Sequence, residues 1–442
     1  MNLEEIKEAL REAGVVGAGG AGFPTYAKLS DQAETLILNG AECEPLLKVD
    51  RQLLATYAKE ILETFSKLVE ASGAKEGVIA LKKSYTATIE AVEYYIGEYK
   101  DLRLLKLENS YPMGDEVVLV YEATGKVVPQ GKVPITVGCV VMNVETVLNV
   151  SHALKEKENV IYKYITLAGE VHRPCTVKVP LGITVKELLA MAGGVKREDT
   201  ALIMGGPMMG RFCNERDVVT KTTKSILVLP ENCPPVAKRR RTTRCNIRNA
   251  MSVCSQCEMC SSLCPRALLG HSIRPHEFMR ALANGLTNTT ETYINTFFCS
   301  GCGLCEMFSC HQDLTPRSLI DNYKGELRAA GVKIPDKPIT EVHNLRNERR
   351  TPVSRLYNRL GLSEYQVPAP LTDEFVSQAK QVTLLLSQNI GAPCSPVVKT
   401  GDQVKAGDVI GQPPTEALGV NLHASISGTV KEISDKAIVI EA

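Results

Sequence analysis

The sequence has 442 residues, of which 44% are hydrophobic and 23% charged, as in globular proteins that bury cores and unlike disordered chains. At roughly 100 to 200 residues per domain, this length predicts three or four domains. Its 51 Lys and Arg residues balance 50 Asp and Glu residues, so the overall charge favours neither nucleic acid nor an anionic membrane as a partner.

The first residues predict a helix and argue against a secretory signal. Leu3, Ile6 and Leu10 follow a helical spacing among acids and bases, with no apolar segment behind a basic start. No stretch approaches the ~18 uninterrupted apolar residues of a transmembrane helix. We therefore expect a cytoplasmic protein without a membrane span. Fifteen cysteines in such a chain indicate metal ligands, because cytoplasmic thiols are kept reduced.

Residues 1–155 alternate helical periodicity with short apolar runs, which predicts a layered α/β domain. A glycine-rich turn follows the first helix. The predicted strands are 35–38, 77–81 and 102–107, and the predicted helical stretches are 44–70 and 86–99.

Residues 156–215 predict a small α+β unit of β-grasp type, because two strands, one helix and a returning strand follow in a short stretch. Residues 216–250 are rich in proline and basic residues and are interpreted as a connector. Its basic run, 238–241, is expected to be either a solvated face or a neighbour of the negatively charged clusters, with a contact to an acidic partner as the alternative.

Residues 251–331 carry the strongest chemical signal, two runs of four cysteines. The first is Cys254-x2-Cys257-x2-Cys260-x3-Cys264-Pro265, and the second is Cys299-x2-Cys302-x2-Cys305-x4-Cys310. The first matches the bacterial ferredoxin run, in which the fourth cysteine ligates the other of two [4Fe-4S] clusters. We therefore assign Cys254, Cys257, Cys260 and Cys310 to one cluster, called cluster I, and Cys299, Cys302, Cys305 and Cys264 to cluster II.

Zinc is the alternative ligand, because zinc sites also use C-x2-C pairs. A zinc site needs four ligands and gains nothing from a third cysteine at the same spacing. The second run departs from the ferredoxin pattern, with four residues before Cys310 and His311 in place of proline.

The end of the chain divides into a linker and an all-β module. Residues 332–379 are polar and predict a linker with a short helix. Residues 380–442 are rich in Val, Ile and Gly with regular turn signals, which predicts short strands.

A second motif, Gly17-x-Gly19-Gly20-x-Gly22-Phe23-Pro24-Thr25, could bring backbone N–H groups close to a phosphate. As a bare pattern it is weak, because a helix precedes it and a proline follows, unlike the dinucleotide-binding fingerprint. An ordinary glycine turn is the alternative.

Together with Lys28 and the string NGAECEP at 39–45, this motif resembles the flavin-carrying subunit of respiratory complex I. Similar strings stand at 111–116 and 143–146. The C subunit of the Rnf electron-transport complex is more similar, because it shares the β-grasp unit ending in GGPMMG and both cysteine runs. The domain order, with a barrel-sandwich module last, resembles the cobalamin reductases of propanediol-utilisation microcompartments.

This resemblance implies a multidomain α/β and α+β protein. Its parts would be a Rossmann-like FMN/NADH domain, an SLBB-like β-grasp domain, a helical two-[4Fe-4S] ferredoxin-like domain and an all-β barrel-sandwich module. The module resembles lipoyl carriers, yet residues 413–424 contain no lysine to modify, so we interpret it as a docking or scaffold piece.

The resemblance also implies which residues bind cofactors. The candidates for FMN are Gly17, Gly19, Gly20, Gly22, Lys28, Asn39 and Asn143, and the candidates for the nicotinamide of NADH are Phe23, Glu42 and Glu44. Glu116, in the similar string 111–116, is a further cofactor-binding candidate. Ala41 replaces an acidic residue of the family, and Met142 stands where complex I has Asn.

The implied function is electron transfer from NADH to FMN, through two clusters, to the cobalt of cobalamin. No side chain needs to act as a general acid or base. The alternatives are exchange with ferredoxin or flavodoxin and a non-catalytic relay. The candidate partners are NADH, cobalamin, a cobalamin-carrying enzyme such as an adenosyltransferase, ferredoxin, flavodoxin and a microcompartment shell.

Overall fold

Four folded units follow one another in the computed structural model, which describes residues 1–372 and 379–442. Residues 373–378, at the end of the predicted linker 332–379, lie outside the described residues. Among the described helices, none is both long and apolar enough to span a bilayer.

The first unit is a parallel sheet with helices on both faces. Its elements are α1 (Leu3–Glu12), α2 (Thr25–Lys28), β1 (Thr35–Asn39), α3 (Val49–Thr56), α4 (Ala58–Ser72), β2 (Glu76–Lys82), α5 (Thr86–Ile96), β3 (Leu102–Leu107), β4 (Ser110–Tyr111), α6 (Glu116–Thr124), β5 (Cys139–Asn143) and α7 (Val144–Ser151). The strand order is β3-β2-β1-β5. Leu36 and Leu38 belong to the core that contains α4, whereas Ile37 belongs to the core that contains α6. A strand buried on both faces appears in the sequence as an unbroken apolar run.

The first helix packs on its own domain. Asn2 and Glu5 cap it reciprocally, each side chain accepting a hydrogen bond from the other's backbone N–H. Ile6 and Leu10 are buried in the core of the unit.

The second unit is the predicted β-grasp domain, but it extends beyond residue 215. Its elements are β6 (Tyr162–Gly169), β7 (Cys175–Pro180), α8 (Val185–Met191), β8 (Thr200–Met204), β9 (Arg211–Cys213) and β10 (Ser225–Pro230). β10 lies between β6 and β8, inside the sheet. The prediction that 216–250 is a connector is therefore wrong for β10, whose six residues are all buried.

The third unit is helical and carries the cysteine runs in its loops and in short helical turns. Its helices are α9 (Pro234–Arg240), α10 (Thr243–Val253), α11 (Met259–Ser262), α12 (Pro265–Leu268), α13 (Pro275–Ala283), α14 (Thr290–Ile294) and α15 (Pro316–Ala329). Phe278, Leu319 and Ile320 are among the residues of its core.

The linker is fastened to the first two units. It contains β11 (Thr351–Pro352), the short helix α16 (Val353–Leu360) and β12 (Leu371–Thr372). β11 pairs with β4, and β12 pairs with β7. Arg346 and Arg350 donate hydrogen bonds to Glu122 on α6 at 2.6 and 2.7 Å.

The last unit is all β, as predicted. Its strands are β13 (Gln381–Leu385), β14 (Ser395–Pro396), β15 (Gln403–Val404), β16 (Val409–Gln412), β17 (Leu422–His423), β18 (Gly428–Ile433) and β19 (Ala437–Glu441). They form a sheet of order β13-β19-β18-β15 and another of order β14-β16-β17.

Candidate functional site

Two predicted site residues, Asn39 and Asn143, end neighbouring parallel strands. β1 and β5 are in register, so that these two asparagines are paired. The chain runs from β1 to β2 and β3 on one side and then returns to β5 on the other, which makes this edge the point where the strand order reverses. Ligands of open α/β sheets bind outside the carboxyl ends of the strands at such a point.

The glycine-rich loop lies at the same edge. The N–H of Ala18 donates to Oγ1 of Thr146 on α7 at 2.9 Å, which ties the loop to the helix that follows β5. Gly20 and Gly22 have φ of +63° and +69°, a conformation that other residues rarely adopt. Within the described residues, no acceptor is found for the N–H groups of Gly19, Gly20 and Ala21. The loop therefore offers N–H donors to an anion such as a phosphate.

A lysine that the sequence analysis did not single out contacts residues at this edge of the sheet. Lys224, just before β10, forms an ion pair with Asp50 and donates to Oδ1 of Asn143 at 3.1 Å. Nδ2 of Asn143 donates to the other oxygen of Asp50 at 2.7 Å. A Cβ added to Gly19 would lie 3.1 Å from Cε of Lys224. The β-grasp domain thus brings a cation to the glycine loop.

A second buried lysine of the β-grasp domain donates a hydrogen bond to the glycine loop. Lys163 on β6 is 1% exposed, forms an ion pair with Glu145 and donates to the carbonyl oxygen of Ala18 at 2.8 Å.

Burial alone would lower the pKa of Lys224, but Asp50, Glu145 and Glu42 together raise it, so that Lys224 stays charged. No local signal in the sequence distinguishes these two lysines from surface lysines.

The structure also describes the surroundings of Lys28, Glu116, Asn39 and Phe23. Lys28 and Glu116 form an ion pair at 2.6 Å. Asn39 donates to the carbonyl oxygen of Gly114 at 2.9 Å. Phe23, beside the loop, is 38% exposed, which leaves its ring open to a ligand.

The two predicted nicotinamide carboxylates lie in different surroundings. Glu42 accepts from Nε of Arg51 at 3.0 Å and from the N–H of Asp50 at 2.9 Å, next to the Lys224 network. Burial raises the pKa of Glu42, although Arg51 opposes the shift. Glu44 instead accepts from the N–H of Met208 in the β-grasp domain at 2.9 Å.

Cluster I corresponds to a surface pocket. The lining residues include Cys254, Cys257, Cys260, Cys310 and His276. Burial raises the pKa of Cys260 to about 12, and the neighbouring thiolates of Cys310, Cys257 and Cys254 add to the shift.

The thiols assigned to cluster II are close neighbours as well. Burial raises the pKa of Cys299 to about 11, and Cys264 adds to the shift. Burial also raises the pKa of Cys302, with Cys264 as the next cause. Over residues 1–372 and 379–442, no three His, Cys, Asp or Glu side chains converge as closely as one metal ion requires.

The cluster II loop touches the first unit beside the glycine-loop site. Oη of Tyr111 donates to the carbonyl oxygen of Cys302 at 2.5 Å, and Tyr111 also lies 3.4 Å from Glu44. Arg266, two residues after Cys264, forms an ion pair with Asp115 at 2.9 Å. Asp115 in turn caps α6. One segment of the first unit therefore contacts both candidate sites.

The basic run 238–241 is a solvated face only in part, and Lys238 lies beside a cluster loop, the other placement that the sequence analysis expected. Lys238 is 5% exposed, donates to the carbonyl oxygen of Glu306 at 2.6 Å and pairs with Asp313 at 3.0 Å. Arg239 donates to the carbonyl oxygen of Pro207 at 2.7 Å. The run fastens the cluster loops to the β-grasp domain, because these loops offer carbonyl acceptors that need donors.

The all-β unit covers one side of the glycine loop. The N–H of Ile390 donates to the carbonyl oxygen of Ala21 at 3.2 Å. A Cβ added to Gly22 would lie 2.6 Å from Cγ2 of Thr222 and 3.1 Å from Cβ of Asn389. Three units therefore meet at one glycine.

Four family models match the chain. They are described as the Nuo51 FMN-binding domain (residues 10–152), the SLBB domain (164–212), the 4Fe-4S dicluster domain (253–315) and the RnfC barrel sandwich hybrid domain (372–442). These matches confirm the predicted domain types and the predicted FMN and iron–sulfur chemistry.

Curated relatives span the whole chain. "Cobalamin reductase PduS" of Salmonella typhimurium is 41% identical over 441 residues, which are 100% of this chain and 97% of that protein. The protein of the same description from Citrobacter freundii is 40% identical over 440 residues, 99% of this chain and 97% of that protein. A component of the Na(+)-translocating ferredoxin:NAD(+) oxidoreductase complex of Acetobacterium woodii is 32% identical over 60% of this chain and 58% of that protein.

A solved structure shares the fold. The crystal structure of an NAD+-reducing [NiFe]-hydrogenase in the air-oxidized state matches with a TM-score of 0.51 at 18% identity, over 82% of this chain and 66% of that chain.

Proposed function

This chain belongs to the family of the cobalamin reductases described as PduS, and from that premise we propose that it carries electrons from NADH through FMN and two [4Fe-4S] clusters to the cobalt of cobalamin. The contact between Tyr111 and Cys302 carries the proposal, because it joins the flavin-domain edge directly to a cluster loop. A flavin accepts two electrons from NADH at once and passes them on singly, as an iron–sulfur cluster requires.

The residues at the β1 and β5 edge fit FMN. The N–H groups of Gly19, Gly20 and Ala21 would hold the phosphate, and the charge of Lys224 would face it. We assign Asn39, Asn143, Lys28 and Glu116 to the same site, together with Gly17 and Gly22.

Phe23 and Glu42 are proposed to contact the nicotinamide, because they lie beside the glycine loop and the Lys224 network. Glu44, which the sequence analysis named as a nicotinamide contact, is proposed to have a positioning role instead. Its carboxylate joins the β-grasp loop to Tyr111, so it would position the cluster II loop against the flavin domain.

The eight cysteines are proposed to hold two clusters, with Cys264 and Cys310 exchanged between the runs. The grouping of the thiols in the structure supports this assignment. Iron–sulfur clusters are held by Cys thiolates, and two four-iron clusters would require about eight irons per chain.

An anaerobic titration with NADH tests the proposal. We expect NADH to bleach the flavin and the cluster absorbance of reconstituted protein, with about eight irons and one FMN per chain. Bleaching by dithionite but not by NADH would show that the protein relays electrons from a donor other than NADH. Fewer than eight irons per chain would contradict the two-cluster assignment.

The second candidate is electron exchange between NADH and ferredoxin or flavodoxin, which the likeness to the Acetobacterium woodii protein favours. Cob(III)alamin and ferredoxin, offered in one NADH assay, would separate the two candidates. A microcompartment location is also proposed, and co-purification with intact shells would test it.

A further inference from the structure

Cluster I lies at an exposed apolar surface. Met251, Val253 and Met259 are 63%, 47% and 40% exposed, and Cys257 between them is exposed as well. Three large apolar side chains are thus exposed within nine positions of the chain, and exposed apolar patches mark interaction sites.

The same surface is basic. Arg244 and Arg248 are exposed on α10, one turn apart, and Met251 follows one turn later on the same side of the helix. In the part of the chain that the structure describes, neither arginine side chain has an ion-pair or hydrogen-bond partner. We call Arg244, Arg248, Met251, Val253 and Met259 the α10 surface.

An acidic residue lies between Cys257 and Met259, next to the α10 surface. Glu258 is exposed, and its carboxylate lies 3.6 Å from Nε2 of His276. The five residues of the α10 surface themselves carry two positive charges, those of Arg244 and Arg248, and no negative charge.

The residues assigned to cluster II lie in different surroundings. Cys305 is 8% exposed, and the carbonyl oxygen of Cys302 accepts a hydrogen bond from Tyr111 of the flavin domain. The two clusters thus differ in what they face, because cluster II lies against the flavin domain and cluster I lies at the protein surface.

We propose that electrons leave through cluster I, to an electron-accepting protein with an acidic rim that docks on the α10 surface. The inference rests on the proposed function and adds the outlet and the kind of partner. One electron passes at each encounter: the cluster is oxidised, the acceptor group of the partner is reduced, and no bond forms or breaks.

A protein partner fits this surface better than a small molecule does. Met and Arg are enriched at protein interfaces, whereas small molecules bind in concave pockets. Unpaired arginines at the rim speed the encounter with an acidic protein and make it sensitive to salt. Cobalamin would accordingly be reduced while it is bound to such a protein.

A binding experiment with flavodoxin, an acidic one-electron carrier, tests this proposal. The dissociation constant of oxidised flavodoxin is measured at low and at high salt, on the reconstituted protein and on the double variant Arg244→Glu/Arg248→Glu. The matched control is Lys186→Glu/Arg216→Glu, which changes two exposed residues of the β-grasp domain. Each double variant moves the net charge from +1 by four units to −3.

We expect the α10 variant to bind flavodoxin at least tenfold more weakly at low salt and the control to bind it nearly as the wild type does. Flavin bleaching by NADH should be unchanged in both variants, so a loss of binding is distinguishable from a failure of the NADH pathway. Equal weakening by both variants, or wild-type affinity in the α10 variant, would overturn the proposal. So would wild-type protein that reduces free cob(III)alamin but does not bind flavodoxin at low salt.

Discussion

Lys224 reaches the candidate FMN site from a different domain, and its effect on FMN binding can be measured. Lys224→Met removes the cation that contacts Asp50 and Asn143. We expect the affinity for FMN to fall by about 10- to 100-fold, because a charge-assisted contact contributes roughly 1.5–3 kcal/mol. Quenching of FMN fluorescence on binding to apoprotein gives the dissociation constant.

Lys221→Met is the control, because Lys221 is also buried but donates to the carbonyl oxygens of Gly14 and Asn421. If both variants lose FMN equally, domain packing rather than Lys224 explains the loss. A second variant, Lys224→Met/Asp50→Asn, avoids a buried unpaired carboxylate and separates misfolding from lost binding.

Lys221 itself predicts a dependence of stability on pH. Burial lowers its pKa to about 8, against roughly 10.4 in an unfolded chain. Between these values the unfolded chain binds more protons, so the free energy of unfolding rises with pH, by up to about 3 kcal/mol. Below pH 8 both states are protonated and the cost of burying the ammonium is present in full.

Denaturant unfolding of the wild type and of Lys221→Met at pH 7.5, 8.5 and 9.5 measures this effect. We expect the wild type to gain stability relative to the variant as the pH rises. The neighbouring His423, whose pKa burial lowers to about 3, stays neutral throughout. Parallel pH profiles would show that Lys221 does not titrate in this range.

At the scale of elements, α9 connects the β-grasp domain to the cluster loops through hydrogen bonds. Lys238→Met leaves the buried carbonyl oxygen of Glu306 without its donor, which costs about 1–3 kcal/mol. We expect faster loss of iron in air. Arg240→Gln breaks an exposed pair with Glu231 and the contact with the ring of Phe212 and should keep its iron, as measured by cluster absorbance over time. Similar loss from both variants would contradict the assigned role of Lys238.

The same region shows where sequence reasoning reached its limit. The run 238–241 is basic, and a basic run is most often solvated, but Lys238 is buried because folded cluster loops present carbonyl acceptors to it. β10 could have been found from the apolar residues Ile226–Leu229, had the prolines nearby not suggested a connector. Local patterns give β1, β2 and β3 almost to the residue, and β1 and β2 are unbroken apolar runs because they are buried on both faces, whereas β5 was not among the predicted strands.

Contacts between distant parts of the chain could not be predicted in this way. The spacing of the cysteines assigned them to clusters, since neighbouring ligands are held by one loop. Lys163 and Lys224 have no such spacing, because they reach the glycine loop only through the packing of the β-grasp domain. The domain types were predictable, whereas the surfaces through which the domains meet were not.

At the scale of the whole molecule, Gly22 lies where three units meet. Gly22→Ala would force a Cβ to 2.6 Å from Thr222 of the second unit and 3.1 Å from Asn389 of the last. We expect a loss of stability of roughly 1–3 kcal/mol and weaker FMN binding, because an overpacked junction must shift. Thermal unfolding and FMN titration check this.

Gly20→Ala is the matched control. Gly20 has a similar φ of +63°, but no atom lies within 4 Å of an added Cβ. Gly20→Ala would therefore have the backbone strain of a positive φ but not the steric clash that Gly22→Ala introduces. Equal effects in both variants would mean that strain in the loop, and not the junction of units, sets the cost.

The coverage of the glycine loop by the last unit has a consequence for biosynthesis. The loop is synthesised long before its cover, because Asn389, which packs beside Gly22, follows about 370 residues later. At about 5 to 20 residues per second, the loop waits some 20 to 80 s for its cover. The loop therefore gains this cover only once the last unit has been synthesised, and we expect nascent chains that stall before residue 380 to be released without tightly held FMN.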